Sequence, residues 1–168
     1  MTPTVNLAKK LKINFQLHEY HHDAHSESYG LEAAEKLQVE PKRVFKTLVV
    51  QDDNDKLAVA ILPVEHLLNL KKIAKAIGSK KAQMADPKLV ERTTGYVLGG
   101  VSPLGQKKRL PTVIDQSAQH FATIYCSGGR RGLESELSPS DLAGAVNAKF
   151  ADLIQQYRIT PCPMSLLK

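Results

Sequence analysis

The chain reads as a single α/β domain. Three observations predict this class. With 168 residues, 42% of them hydrophobic and 5% aromatic, the chain is long enough to bury one ordinary core. Runs rich in β-branched residues recur at Val44–Val50, Leu57–Val64, Thr112–Asp115 and Thr123–Cys126. The segments between several of these runs show helical spacing with caps at their ends. Neither an internal repeat nor a low-complexity stretch interrupts the pattern.

In chain order, Thr2-Pro3 opens a helix to about Leu11, with threonine as N-cap, proline at the first helical position, and Val5, Leu7, Ala8 and Leu11 on its apolar face. Phe15, Leu17 and Glu19 alternate with Gln16, His18 and Tyr20, the period of a half-buried strand. A polar approach loop, expected to be flexible, spans His21 to Tyr29. Gly30 to Val39 has helical spacing, with Leu31, Ala34 and Leu37 facing inward. Pro41-Lys42-Arg43 turns into Val44–Val50, where Val44, Lys46, Leu48 and Val50 share one face and Phe45, Thr47 and Val49 the other. Both faces are largely apolar, which predicts a central strand. The turn Asp52-Asp53-Asn54-Asp55 then joins it to Leu57–Val64 as an antiparallel hairpin. That acidic run lacks the glycine and final glutamate of a calcium loop.

Leu70 to Ile77 predicts a basic helix stopped by Gly78, its Lys71, Lys72 and Lys75 turned away from the core, where they could meet phosphate. Ala82–Met84 forms a short strand, and Asp86-Pro87 starts a helix that ends before Gly95. Gly95 to Gly105 holds Gly99, Gly100, Ser102 and Pro103 and predicts either a tight structural turn or a loop whose backbone lets another group approach closely. Ser127-Gly128-Gly129-Arg130-Arg131-Gly132 predicts a second glycine-rich loop. Ser138 caps a helix to about Val146, Ala148–Ile154 forms a last strand, and residues 155–168 form a tail beyond a domain of residues 1–154.

Charge and motif content exclude several classes. The net charge of +6 is spread over short clusters such as Lys80-Lys81 and Lys107-Lys108-Arg109, the pattern of a folded surface facing a polyanion such as RNA or of a solvated mixed face. No run is long enough to cross a bilayer, and the N-terminus lacks a signal-peptide core, so a cytoplasmic protein that makes no membrane contact is expected. Cys126 and Cys162 form neither a metal-ligand spacing nor a disulfide framework. His18, His21, His22 and His25 lack a further ligand at zinc spacing. The second glycine loop lacks the lysine and Ser/Thr of a P-loop, yet its amides, like those at Gly99-Gly100, suit an anion or oxyanion. No nucleophile has an evident base.

Lys46 carries the functional question. An ammonium in line with three aliphatics either extends its head to water or sits in a polar pocket, because an unpaired buried charge is too costly. Tyr20 shares the polar face of its strand, where amphipathic packing and a pocket wall are both open readings.

The segments Phe45-Lys46-Thr47-Leu48-Val49, Thr94-Gly95-Tyr96 with Gly99-Gly100-Val101-Ser102-Pro103-Leu104-Gly105, and Ser127-Gly128-Gly129 with Arg131-Gly132-Leu133 resemble the motifs of the YbaK family of aminoacyl-tRNA deacylases. The opening Thr2-Pro3 and the helix Glu32–Leu37 resemble it too, so the likeness spans about residues 1–154. It implies one α/β domain around a mixed, partly closed, barrel-like sheet flanked by helices. It further implies hydrolysis of Cys-tRNA(Pro) without a cofactor or metal, action on the aminoacyl-tRNA acceptor end, and a transient complex with prolyl-tRNA synthetase. Lys46 would be the key side chain, with Gly99 and Gly100 as the catalytic loop. Tyr20, Phe45, Thr47, Ser102, Ser127 and Gly128 would contact the substrate. Glu134 falls where a variable polar residue is expected, outside the site. The alternative is a synthetase-associated module that shelters the acceptor end without chemistry, although no aromatic stacking motif supports it. A metal hydrolase built on the N-terminal histidines would instead be sensitive to chelators.

Overall fold

Leu57–Pro63 is buried along nearly its whole length, as expected of an apolar strand with neighbours on both edges. In the computed structural model, which describes residues 1–26 and 28–156, this strand is β3. It is the third strand of a five-stranded mixed sheet ordered β4-β2-β3-β5-β8, where β2 is Phe45–Asp52, β4 Ala82–Met84, β5 Thr112–Asp115 and β8 Lys149–Ala151. The hairpin expected from the sequence forms between β2 and β3, antiparallel from Phe45↔Pro63 to Gln51↔Leu57. Its turn is closed by Asp52, whose Oδ1 accepts the Asn54 and Lys56 amides at 2.8 Å and whose Oδ2 accepts Ser79 Oγ.

A second, three-stranded antiparallel sheet is ordered β1-β7-β6, from Phe15–Glu19, Leu133–Leu137 and Ile124–Arg130. One parallel bridge, Val44↔Tyr125, joins the two sheets at a corner, and the barrel does not close. Between the sheets lies the main core, built from Phe45, Val49, Ile61, Ile114, Ile124 and Leu137. The other face of the larger sheet packs Val50, Ala60 and Val113 on Ile73 of the helix Leu70–Ala76.

Helices α1 (Pro3–Lys10), α2 (Tyr29–Leu37), α3 (Leu70–Ala76), α4 (Pro87–Thr94) and α5 (Pro139–Val146) flank the sheets. Thr2 Oγ1 accepts the Val5 amide and Ser138 Oγ that of Asp141, the caps expected. Asp86 makes no such side-chain bond, but Pro87 still sits in the first turn, and Gly95 at φ +83° ends α4. No described helix is long and apolar enough to cross a membrane. Residues 157–168 of the expected tail lie outside the described residues.

Some expectations shift. α2 turns Leu31 outward, 44% exposed, and buries Glu32, Ala33 and Ala34. Small Ala33 and Ala34 seat closely on Val44, Val64 and Tyr125, while Glu32 finds His22 Nδ1 at 2.7 Å and the Asp23 amide at 2.9 Å. Leu17 is 43% exposed on the edge strand β1. The last strand shortens to Lys149–Ala151. Lys72 is not turned to a phosphate: it is held by Asp152 Oδ2 at 2.7 Å and the Ile154 carbonyl at 2.8 Å.

The largest revision is at the second glycine segment. It is not a loop: β6 continues through Ser127, Gly128 and Gly129 to Arg130, with a bulge, and turns into β7. Leu133-Glu134-Ser135-Glu136-Leu137 does alternate, but glutamates have low strand propensity, and pairing with both β1 and β6 overrides it.

Asp115 at the end of β5 is buried and accepts the Leu153 amide at 2.9 Å and the Ser117 amide at 3.1 Å. Asp115→Ala leaves both donors without their partner and is expected to cost about 1–3 kcal/mol. Urea unfolding with an unchanged m-value checks this, and no shift in midpoint would refute the role.

Candidate active site

β4 pairs with β2 only at Val50–Asp52, so among the described residues Phe45–Leu48 have no strand ladder on the edge opposite β3. A cavity of about 290 Å³ opens there, between β2, the Leu98–Val101 segment, the start of α2 and the β6–β7 hairpin. This edge position explains why consecutive residues of β2 border it: Phe45, Lys46, Thr47 and Leu48 all line the cavity. The Val49 carbonyl points away from β3, accepting the Ala85 amide at 3.0 Å. By antiparallel alternation, the backbone N–H and C=O of Thr47 face the same way, toward the open edge.

Lys46 is half-buried, and loss of water around it pulls its ammonium below the usual lysine range. It lines the cavity with Gly99 and Ser127, together with Phe45 and Thr47. The other residues expected at the site are near but not in the lining. Tyr20 packs its ring with Ala33, Val44 and Val64, and its hydroxyl is pushed up to about 12 by burial and then by the Glu134 and Glu32 charges. Ser102 is fully buried and accepts the Leu104 amide at 3.1 Å, a turn-forming role. Gly128 leaves space for Leu133, and its carbonyl accepts Thr2 Oγ1 at 2.6 Å.

The two glycines of the first loop do different things. Gly99 sits at φ +85°, and a Cβ there would meet Arg131 Nε and the Tyr29 ring at 2.8 Å. Gly100 packs its Cα against the backbone of Arg130, 2.9 Å from where a Cβ would lie. Its amide is engaged in the local turn, donating to the Val97 carbonyl at 2.9 Å, so it is not free to meet an oxyanion.

Two groups outside the expected site bear on it, Arg131 behind the lining residues Leu98 and Tyr29 and Glu134 in the wall itself. Arg131 donates through Nε and Nη2 to the Leu98 carbonyl at 3.0 and 2.7 Å, and its guanidinium lies 4.5 Å from the centre of the Tyr29 ring. It ties the glycine loop, α2 and the β6–β7 turn around the cavity. Glu134, 7% exposed, lines the cavity wall, and burial pushes its carboxyl up to about 8. Its Oε2 and the Thr47 Oγ1 are buried with no hydrogen-bond partner among the described residues. Strand alternation in Leu133–Leu137 would have separated Glu134 from the core face, but nothing in the sequence shows that its own face is also covered.

The histidines scatter: His18 meets Glu136 at 2.9 Å and His22 meets Glu32 at 2.7 Å. Cys126 is fully buried, its thiol pushed up to about 12 by that burial, which leaves it inert as a nucleophile.

Residues 25–145, which contain β2, the glycine loop and the β6–β7 hairpin, match the model of the aminoacyl-tRNA editing domain. The chain belongs to this family. EbsC of Enterococcus faecalis, provisionally named a Cys-tRNA(Pro)/Cys-tRNA(Cys) deacylase, is 38% identical over 154 residues, covering 90% of this chain and 92% of its own. The proline–tRNA ligase of Geotalea daltonii is 30% identical over 134 residues, 79% of this chain but 22% of the ligase. A crystal structure provisionally described as a trans-editing enzyme for prolyl-tRNA synthetase superposes with a TM-score of 0.78 at 21% identity, over 93% of this chain and 99% of that one. That last likeness is one of fold. Within this editing-domain fold, the cavity beside Lys46 is lined by apolar walls with a few convergent polar groups, the character of a small-ligand site.

Proposed function

We propose that this protein is a trans-editing deacylase that removes cysteine wrongly attached to proline tRNA. The observation that carries the reading is the half-buried ammonium of Lys46 in the cavity of an editing domain. The provisional name of the E. faecalis relative supports the choice of substrate. An aminoacyl ester is already activated, so positioning and charge stabilisation suffice to cleave it. Lys46 holds the ester oxygens or the 3′-terminal adenosine, and the Gly99 amide contributes to the developing charge.

Among the described residues no hydroxyl of the cavity lining is hydrogen-bonded to a histidine base, which favours a route through the substrate. The cysteine thiol attacks its own carbonyl carbon, the C–S bond forms, and the ester C–O bond breaks. The 3′-hydroxyl leaves with the thiol's proton. Water then opens the resulting thiolactone. Transfer RNA selection comes from a transient complex with prolyl-tRNA synthetase, in keeping with the similarity to about a fifth of a proline–tRNA ligase.

Deacylation of proline tRNA charged with cysteine, serine, alanine or proline, with and without the synthetase, tests this. Cysteine is released fastest, and the synthetase sharpens the choice of tRNA. Equal release of serine would overturn the thiol-assisted route. Tight tRNA binding with every ester left intact would replace the deacylase by a sheltering module.

A further inference from the structure

A buried hydroxyl or carboxyl without a partner is rare because it forfeits the hydrogen bonds that water gave it. The described residues contain three such side-chain atoms, and two of them, Thr47 Oγ1 and Glu134 Oε2, belong to residues lining the Lys46 cavity. They come from different sheets, Thr47 from β2 and Glu134 from β7, so no local turn explains both. The Thr47 main chain faces the same open edge. Together the two residues bring a carboxyl, a hydroxyl and a main-chain carbonyl to the wall of one cavity.

We propose that Glu134 and Thr47 seat the free α-amino group of the aminoacyl ester, so that the site takes aminoacyl esters and rejects N-blocked ones. The inference rests on the deacylase reading and specifies its substrate class. An amine matches this set because it brings up to three N–H donors and takes up the carboxyl's proton: the carboxyl and neutral amine become carboxylate and ammonium, with no net change in protons. Burial already holds the Glu134 proton to near pH 8, which keeps an unpaired anion out of the cavity wall. A thiol is too weak a donor to satisfy these oxygens. A formyl, acetyl or peptidyl nitrogen keeps one N–H, cannot be protonated and carries a bulky carbonyl. Lys46 makes no ion pair with Glu134 within 4.0 Å, which leaves its ammonium available to another part of the ester.

The experiment compares Cys-tRNA(Pro) with its N-acetyl form, which keeps thiol and ester and loses only the amine. Calorimetry with the uncleavable 3′-cysteinylamino-3′-deoxyadenosine and its N-acetyl form runs in parallel. The wild type is expected to prefer the free amine by roughly 10- to 100-fold in kcat/KM and Kd. Glu134→Gln, similar in shape, should reduce that preference to a few-fold, mainly through KM, and Thr47→Val should do so more weakly. Equal handling of free and blocked forms by the wild type overturns the proposal and leaves the deacylase reading standing. Selective binding of the free amine without cleavage sustains it and removes the deacylase reading. Binding of neither analogue ends both.

Discussion

Lys46→Ala is expected to abolish deacylation with the fold intact. The lysine occupies a strand paired residue by residue with β3, opposite Leu62, so alanine keeps the backbone ladder. Burial already disfavours its charge, and among the described residues no carboxylate lies within 4.0 Å of it to be stranded by its removal. Stability should therefore hold or rise slightly. Catalysis loses the Lys46 ammonium at the cavity, an effect of roughly 10²–10³-fold or more for a preorganised charge. Single-turnover rates with melting curves on the same samples check both halves. Wild-type rates in the variant would remove Lys46 from the mechanism.

Glu134→Gln should stabilise the protein increasingly as pH rises. Burial raises the Glu134 carboxyl from the usual 4.5 to about 8. Between those values the folded chain keeps a proton that the unfolded chain releases, so the wild type loses about 1.4 kcal/mol per pH unit across that window. Below pH 4.5 both states are protonated and the contribution is fully present; it is lost as pH climbs through about 8. Glutamine never ionises and escapes the loss, so the gap grows from near zero at pH 4.5 to several kcal/mol above pH 8. Tyr20 and Cys126, each pushed up to about 12, stay neutral in this range. Repeating the series in Lys46→Ala removes the cavity's ammonium as a confounder. A gap between wild type and Glu134→Gln that does not vary with pH would mean that the carboxyl is not buried neutral.

Legibility from the sequence divided along physical lines. The β2–β3 hairpin was readable because β-branched runs on either side of an Asp/Asn turn depend on local preference, and the observed register follows. The caps at Thr2 and Ser138 were readable for the same reason. The face of α2 was not: Leu31 looked like an anchor, but the choice of face depended on how close Ala33 and Ala34 can come to Val44 and Val64. The strand β7 was missed because glutamates at alternate positions argue for solvent unless something covers them. Of the expected site residues, Phe45, Lys46, Thr47, Gly99 and Ser127 line one cavity, whereas Tyr20, Gly100, Ser102 and Gly128 serve the packing around it.

By itself the sequence determined the α/β class, most elements and a lysine out of place among aliphatics, since each depends on neighbours within a few residues. Only the tertiary structure decided that β4 stops short of Lys46, that the exposed edge of β2 becomes a cavity, and that Glu134 is sealed into its wall. Those outcomes depend on where two sheets meet, and the burial of a polar group is set by what arrives from the far end of the chain.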